Sequence, residues 1–175
     1  MNTTEIAKDP DYIKQSLRAV WLPRIIVSGG QTGADRAALD WAIRHGLPHG
    51  GWCPRGRRAE DGLIDARYRL QEAASARYAR RTWLNARDSD ATLIFNQGPL
   101  ENGTLETLRC AESLRKPYLV LQLEDDNLEQ VTLTVVGWLK EGRFARLNIA
   151  GPRESKRPGI HARVSSVLEQ SLRAG

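Results

Sequence analysis

The segment Ser28-Gly29-Gly30-Gln31-Thr32-Gly33-Ala34-Asp35 follows an apolar run, Ile25-Ile26-Val27, and precedes residues with helical spacing. A strand, a glycine-rich turn and a helix in this order predict an anion site. Glycines let backbone N–H groups approach a ligand, and the helix N-terminus adds unpaired donors and a positive dipole. The turn matches neither GxxxxGK[ST] nor GxGxxG. A tight connection without a ligand is the alternative interpretation.

Strand-like and helix-like patterns alternate along most of the chain. The patterns predict strands at 24–28, 49–53, 91–95, 118–121 and 146–150, and helices at 34–45, 66–75, 105–114, 128–142 and 160–172. The stretch 54–65 is predicted to be a loop, and 77–87 is ambiguous. This alternation is typical of an α/β fold with a doubly wound, mostly parallel Rossmann-like sheet and helices on both faces. Such sheets bind ligands at the carboxyl ends of their strands, so the loops that follow the strands should converge.

Length and composition favour a single ligand-binding domain. The 175 residues predict one domain over 24–175, preceded by a helical lead-in over 1–23. The sequence shows no secretory apolar segment and no run long enough to span a membrane, so we expect a soluble, cytoplasmic protein. Cys53 and Cys110 lack CxxC spacing, which suits a reducing compartment and gives no metal-site pattern.

The formal net charge of +5 is carried mostly by arginine. Because the planar arginine fork matches phosphate oxygens, this composition favours a phosphorylated or otherwise anionic small ligand. A well-solvated basic surface is the alternative. A nucleic-acid interface is disfavoured, since the basic residues fall in predicted loops and not along one helix or one aromatic sheet face.

The loop at 52–62 carries a cluster of arginines. Arg55, Arg57 and Arg58 form a candidate oxyanion clamp. The alternative is a solvated loop in which these arginines pair with Glu60 and Asp61.

Two later loops also carry candidate residues, and one of them repeats the first arrangement. Gly98 lies in a turn-rich loop that leads to a helix beginning near Gly103-Thr104, which predicts a second anion-facing helix N-terminus. The loop at 151–155 adds Arg153, as a ligand contact or as part of an ordinary helix start.

Several ordered motifs together carry a family resemblance. They are SGGQTGADR at 28–36, CPRGR at 53–57 with EDG at 60–62, Arg81-Thr82 with Asn85, SDATL at 89–93, Gly103-Thr104 and AGPRES at 150–155. Over roughly residues 24–172 this set resembles the molybdenum cofactor carrier proteins. The resemblance implies a Rossmann-like subunit that forms a homo-oligomer, a dimer or a tetramer. It also implies a site that holds the molybdenum cofactor, a pterin with a phosphate tail and a dithiolene-bound oxo-metal, as cargo.

The resulting hypothesis is a carrier that stores the cofactor or delivers it to a recipient molybdoenzyme; molybdate or another oxoanion is the alternative cargo. Backbone N–H groups and hydroxyls would hold phosphate or oxo groups, arginines would neutralise charge, and Asp35 or Glu60 would accept hydrogen bonds from the pterin. No catalytic residue and no protein metal ligand is predicted. The predicted cofactor-binding residues are Ser28, Gly29, Gly30, Gln31, Thr32, Gly33, Asp35, Arg36, Arg55, Arg57, Glu60, Asn96, Gly98, Gly103, Thr104 and Arg153.

The same motifs resemble, more distantly, the lysine decarboxylase-like phosphoribohydrolases, whose GGxGTxxE turn carries a catalytic glutamate. Thr107 fills that position here, and Glu106 lies one residue earlier, rotated by about 100° around a helix. Binding without turnover is therefore favoured. The alternatives are a nucleoside-monophosphate phosphoribohydrolase that uses Glu106 or Glu101, and a sensor of a nucleotide derivative.

Overall fold

The computed structural model describes residues 21–123 and 128–172; the first twenty residues of the predicted lead-in lie outside these ranges. Its strands are β1 Ile25–Val27, β2 His49–Gly50, β3 Trp52–Cys53, β4 Arg58–Ala59, β5 Gly62–Leu63, β6 Gln71–Glu72, β7 Ala91–Asn96, β8 Tyr118–Gln122 and β9 Arg146–Ala150. Five of them form the central sheet in the order β2-β1-β9-β7-β8, with every neighbouring pair parallel. The last strand of the chain, β9, thus lies at the centre of the sheet.

Helices cover both faces of this sheet. They are α1 Ala34–Arg44, α2 Tyr78–Arg87, α3 Asn102–Ser113, α4 Leu128–Gly142 and α5 Ile160–Ser171. Helices α1, α4 and α5 enclose the main apolar core with Leu93 and Phe95 of β7, whereas α2 and α3 pack together on the opposite face. Alternation along β7 turns Thr92 and Asn96 toward that second face. The predicted α/β fold is confirmed, and none of the described helices is long and apolar enough to cross a membrane.

The predicted strand at 49–53 is two strands in two sheets. β2 extends the central sheet, whereas β3 pairs in parallel with β6. Gly51 lies between them at φ 132°, where a Cβ would lie 2.1 Å from the Ser28 carbonyl oxygen. Only glycine fits this bend, because the chain must leave one sheet and pass close to β1 before it enters the other.

The predicted helix at 66–75 is wrong. This stretch forms turns and β6, and Ile64, Tyr68 and Leu70 bury their side chains in a second, smaller core with Cys53. The carbonyls of Tyr68 and Leu70, with that of the preceding Asp65, accept hydrogen bonds from the Arg57 side chain and not from a helical ladder. A tertiary contact has overridden the local pattern.

The ambiguous segment 77–87 forms helix α2, and α3 begins three residues before its predicted start. The predicted apolar stripe of α3 includes Leu105 and Leu108, yet both remain half-buried while Thr104, Thr107 and Cys110 are buried. The helix therefore turns a polar side inward. That side faces the cavity described next.

Candidate functional site

A cavity of about 190 Å³ opens at the carboxyl edge of the sheet, on the face covered by α2 and α3. Four segments meet there: the turn after β1, helix α2, the β7–α3 connection and the loop after β9. The loop after β1, the loop before Gly103-Thr104 and the loop at 151–155, all predicted from the sequence, therefore converge. The lining residues are Gly29, Gln31, Asp35, Arg81, Thr82, Asn85, Asn96, Pro99, Glu101, Asn102, Gly103, Thr104, Thr107, Asn148, Ala150, Gly151, Pro152, Arg153, Lys156 and Arg157.

The closed end of the cavity contains a buried ion pair. Nη1 of Arg81 donates to Oδ2 of Asp35 at 2.8 Å, and the backbone N–H of Gln31 donates to the same oxygen at 3.2 Å. The two charged side chains are only 14% and 4% exposed. Gly29 makes room for this pair, because a Cβ there would lie 1.4 Å from Nη1 of Arg81. The charges at this end balance each other.

Two donors at the closed end have no hydrogen-bond partner among the described residues. They are Nε2 of Gln31 and Nε of Arg81, both fully buried. An unpaired buried donor costs about 1–3 kcal/mol, so such groups are uncommon unless a ligand or a water completes them. Both residues line the cavity.

The start of helix α3 lies nearer the solvent and has no side-chain cap. Helix geometry leaves the N–H groups of Asn102, Gly103 and Thr104 without intrahelical partners. A Cβ built on Gly103 would meet no atom within 4 Å, so the approach to these groups is open. The predicted second helix N-terminus therefore faces the cavity.

Positive charge exceeds negative charge around the cavity. Four cationic side chains line it, Arg81, Arg153, Lys156 and Arg157, against the carboxylates of Asp35 and Glu101. Arg157 is paired with Glu101 at 3.0 Å, as Arg81 is with Asp35. Arg153 has only a 3.9 Å ion pair with Glu60, and its guanidinium lies 5.7 Å from the Tyr78 ring centroid. Arg153 and Lys156 supply the excess charge.

The start of helix α1, the first predicted anion site, is bonded to the protein itself. The N–H of Ala34 donates to the Pro152 carbonyl at 3.1 Å. Gly33 lies so close to the 152–154 backbone that a Cβ would be 2.4 Å from the Pro152 oxygen. Only Gly29, Gln31 and Asp35 of the predicted first-loop set line the cavity. The first turn therefore joins two loops and adds side chains to the site, while α3 supplies the open N-terminus.

Four predicted residues, Thr32, Gly33, Arg36 and Glu60, line a separate, wider groove on the other side of this junction. Arg36 makes a two-pronged ion pair with Asp61 there. Thr32 and Ser155 donate hydrogen bonds to Glu60. Partial burial raises the pKa of Glu60, but these hydrogen bonds outweigh it and leave that pKa below its ordinary value. Arg36 and Glu60 are thus engaged by protein groups.

Arg55 and Arg57 line neither opening, in contrast to the predicted clamp. The Arg57 guanidinium donates to the carbonyls of Ile64 and Leu70 at 3.2 and 3.0 Å, and to two further carbonyls of the same loop at 3.0 Å. It therefore fixes the loop at 64–70. Arg55 is exposed to solvent.

Of the other predicted residues, Asn96, Gly103 and Thr104 line the cavity, whereas Gly98 lines neither opening. Ser28 donates to the Ile149 carbonyl at 2.6 Å, and a Cβ on Gly30 would lie 2.5 Å from Leu70, so both residues have structural roles. Asn96 lines the cavity and donates to the Gly98 carbonyl at 2.8 Å.

The site prediction omitted several lining residues, notably Arg81, Asn148, Lys156 and Arg157. Asn148 had a recognisable signal, since it is a polar residue within an otherwise apolar predicted strand. Arg81 belongs to a motif that carried the family resemblance, yet no spacing rule places it beside Asp35.

Both cysteines are buried, and their thiol pKa values are raised. Burial, with a smaller contribution from Glu106, raises the pKa of Cys110 to about 11, and burial also raises the pKa of Cys53. Neither is a thiolate near neutral pH. Within 21–123 and 128–172, no cluster of three or more histidine, cysteine or carboxylate side chains could hold a metal ion.

Comparison with known proteins identifies relatives of the chain. The sequence model described as "Circularly permutated YpsA SLOG family" matches residues 26–172. A crystal structure from Syntrophus aciditrophicus, named "Putative molybdenum carrier protein", superposes with a TM-score of 0.86 at 42% identity and covers 89% of this chain and 99% of that one. No curated protein matches the chain significantly.

Proposed function

The chain belongs to the circularly permutated YpsA SLOG family, and on that basis we propose that it binds the molybdenum cofactor as cargo and stores or carries it without turnover. The observation that carries the proposal is the cavity itself. Surplus cations and an uncapped helix N-terminus lie at its mouth, and two residues with unpaired buried donors, Gln31 and Arg81, line its closed end. The 42% identical structure named as a molybdenum carrier supports the same class of ligand.

The residues present fit an elongated anionic pterin. A cavity of about 190 Å³ is smaller than the roughly 300–1,000 Å³ of pockets that enclose a whole ligand, so part of the cargo would remain outside. The start of α3, Arg153 and Lys156 would hold phosphate or oxo groups at the mouth. Gln31 and Asp35 would hold the ring. Delivery to a molybdoenzyme and assembly into a homo-oligomer belong to the same proposal.

The positions of the carboxylates favour binding over hydrolysis. Thr107 lines the cavity, whereas Glu106 does not and instead lies with its carboxylate 3.9 Å from the Cys110 sulfur. Glu101 does line the cavity, but it is paired with Arg157 and half-exposed. Of the two glutamates that a phosphoribohydrolase was expected to use, only Glu101 lines the cavity, and release of free base from a nucleoside monophosphate would favour that alternative.

Removing Arg153, a weakly paired cation at the mouth, is expected to weaken cargo retention. Arg153→Ala should lower the molybdenum and pterin retained per protein by at least about tenfold, because a charge-assisted contact is worth about 1.5–3 kcal/mol. The protein is purified gently from a host that makes the cofactor, and molybdenum is measured by mass spectrometry and pterin by fluorescence after oxidation.

Two further variants make this experiment specific. Arg69→Ala removes an exposed arginine outside the cavity and should retain cargo normally. Arg55→Ala distinguishes the two interpretations of the arginine loop. The clamp predicted from the sequence requires that this variant retain less cargo, whereas the structure, in which Arg55 lies outside the cavity, requires normal retention. Absence of molybdenum from the wild-type protein, or equal retention by the Arg153 variant, would contradict the proposal.

Gly103→Asp is expected to separate folding from binding. A carboxylate in the first turn of α3 interacts favourably with the helix dipole, and aspartate replaces a flexible glycine. The free energy of unfolding should therefore stay equal or rise by up to about 1 kcal/mol. The same carboxylate would occupy the anion site and repel cargo, so retention should fall at least tenfold. Gly137→Asp, at an exposed glycine of α4 with equally open surroundings, is the matched control and should bind normally. Retention by Gly103→Asp equal to that of the control would exclude the α3 N-terminus as the anion site.

A further inference from the structure

We propose that the closed end of the cavity selects a 2-amino-4-oxo-pyrimidine ring, the edge that pterins share with guanine, and leaves the anionic part of the ligand at the mouth. This inference rests on the proposed function for the location of the site. It goes further in assigning the ligand's orientation and the chemical class of its ring.

The first argument is the fixed orientation of the Gln31 amide. Its Oε1 accepts the backbone N–H groups of Thr32 and Glu60 at 3.0 and 2.9 Å. A flipped amide would place NH₂ against two N–H donors, so the observed assignment is the one that the hydrogen bonds allow. Nε2 therefore has to be the free atom. Gln31 is 5% exposed, lines the cavity, and has no partner for Nε2 among the described residues.

The second argument is that the closed end offers one acceptor beside its unpaired donors. Oδ2 of Asp35 accepts two hydrogen bonds, one from Arg81 and one from the backbone N–H of Gln31. Oδ1 accepts no hydrogen bond from any described residue, while Nε of Arg81 and Nε2 of Gln31 remain unpaired donors. Because Arg81 and Asp35 already neutralise each other, this end suits a neutral polar ring better than a second charge.

The remaining polar groups of the lining are largely engaged by the protein. Asn85 exchanges hydrogen bonds with both backbone groups of Trp52 at 2.7 and 3.0 Å. The hydroxyls of Thr82 and Thr107 donate to carbonyls one helical turn earlier at 3.0 and 2.9 Å. Discrimination between ligands therefore falls to Gln31, Arg81 and Asp35.

A ring carbonyl next to a ring N–H and an exocyclic amine matches these three groups. The carbonyl has two lone pairs and can accept from Gln31 and Arg81, and the N–H groups can donate to Oδ1 of Asp35. Adenine presents an amine where the carbonyl would lie, so a donor would face the buried Gln31 donor and leave it unpaired. A buried mismatch of this kind is what allows a hydrogen-bonding site to reject an analogue.

The test compares nucleotides that carry the same phosphate. Isothermal titration of the full chain with guanosine 5′-monophosphate and adenosine 5′-monophosphate should show at least tenfold tighter binding of the guanine nucleotide. Gln31→Glu keeps an oxygen for both backbone donors but replaces the free NH₂ with an acceptor, so this ratio should collapse toward one. Gln130→Glu makes the same change on an exposed position of α4 and should leave the ratio intact. Any effect of the added charge on the phosphate applies to both nucleotides and cancels in the ratio.

Two other probes identify the source of the ring and separate the two proposals. Pterin-6-carboxylate binding tighter than the guanine nucleotide assigns the site to pterins, and the reverse order assigns it to guanine derivatives; either supports the ring selection. Selective guanine binding without cofactor retention would overturn the proposed function alone. Equal affinity for the two nucleotides, an unchanged ratio in Gln31→Glu, or binding of inorganic phosphate without binding of either ring would overturn the inference, even if the cofactor is retained.

Discussion

Gly33→Ala is expected to lower the free energy of unfolding by about 3 kcal/mol or more. Gly33 has φ 77° and ψ −127°, a conformation that L side chains rarely adopt. A Cβ there would lie 2.4 Å from the Pro152 oxygen and 2.8 Å from the Glu154 nitrogen. These are backbone atoms, so they cannot rotate away as a side chain would. The substitution should therefore separate α1 from the loop that carries Arg153.

Urea denaturation followed by circular dichroism measures this loss. Gly46→Ala is the matched control, because Gly46 also has a positive φ, 65°, but a Cβ there would meet nothing within 4 Å. The control carries only the backbone strain of about 1–2 kcal/mol. The difference between the two variants reports the contact with residues 152–154 together with the costlier backbone conformation of Gly33. Equal losses would show that the loops adjust without cost.

Arg81→Met is expected to cost about 3–5 kcal/mol, because it leaves the buried carboxylate of Asp35 without its cationic partner. One backbone hydrogen bond, from Gln31, would remain on that carboxylate. Adding Asp35→Asn should recover part of the loss, since the uncompensated charge disappears with its partner. Equilibrium unfolding of the two single variants and the double variant gives the coupling between the side chains.

The neighbouring arginine provides the comparison. Arg80 is exposed on α2, where its guanidinium lies 5.0 Å from the Trp83 ring centroid. Arg80→Met should cost less than about 1 kcal/mol, in line with an exposed cation–π contact. A similar effect at both positions would mean that the Arg81–Asp35 pair is solvated and does not support the closed end of the cavity.

Local patterns were sufficient to predict the frame of the fold. The mostly apolar runs around Leu93 and Ile149 predicted strands that the structure contains, and glycines after strands predicted the edge where the cavity lies. These features depend on neighbours in sequence. The order of strands, with β9 between β1 and β7, depends on packing and has no local signal.

The site itself was predicted only in part, for a related reason. Both glycine-rich helix starts look alike in sequence, but Pro152, more than a hundred residues away, determines that the first is occupied by a carbonyl. Arg57 looks like a ligand-binding arginine until four carbonyls of its own loop are found around it. Long-range partners decide which polar groups are left free for a ligand, and a single sequence does not display them.

Helix α2 was not predicted from the sequence because part of its buried side is polar. Thr82 and Asn85 are buried polar residues on its inner side, so the segment lacks the apolar periodicity that would have predicted it. Their burial reflects hydrogen bonds to nearby backbone rather than hydrophobicity.

Because β9, the last strand of the described residues, lies at the centre of the sheet, the proposed ligand site can form only late in synthesis. Gln31 and Asp35 come from the beginning of the domain, and Arg153 and Lys156 follow β9 near its end. During synthesis, the early and late residues of the candidate site can come together only after β9 has been inserted between β1 and β7, which are synthesised earlier. If the proposed function holds, only a finished subunit would accept cargo, and a nascent or truncated chain would lack part of the site.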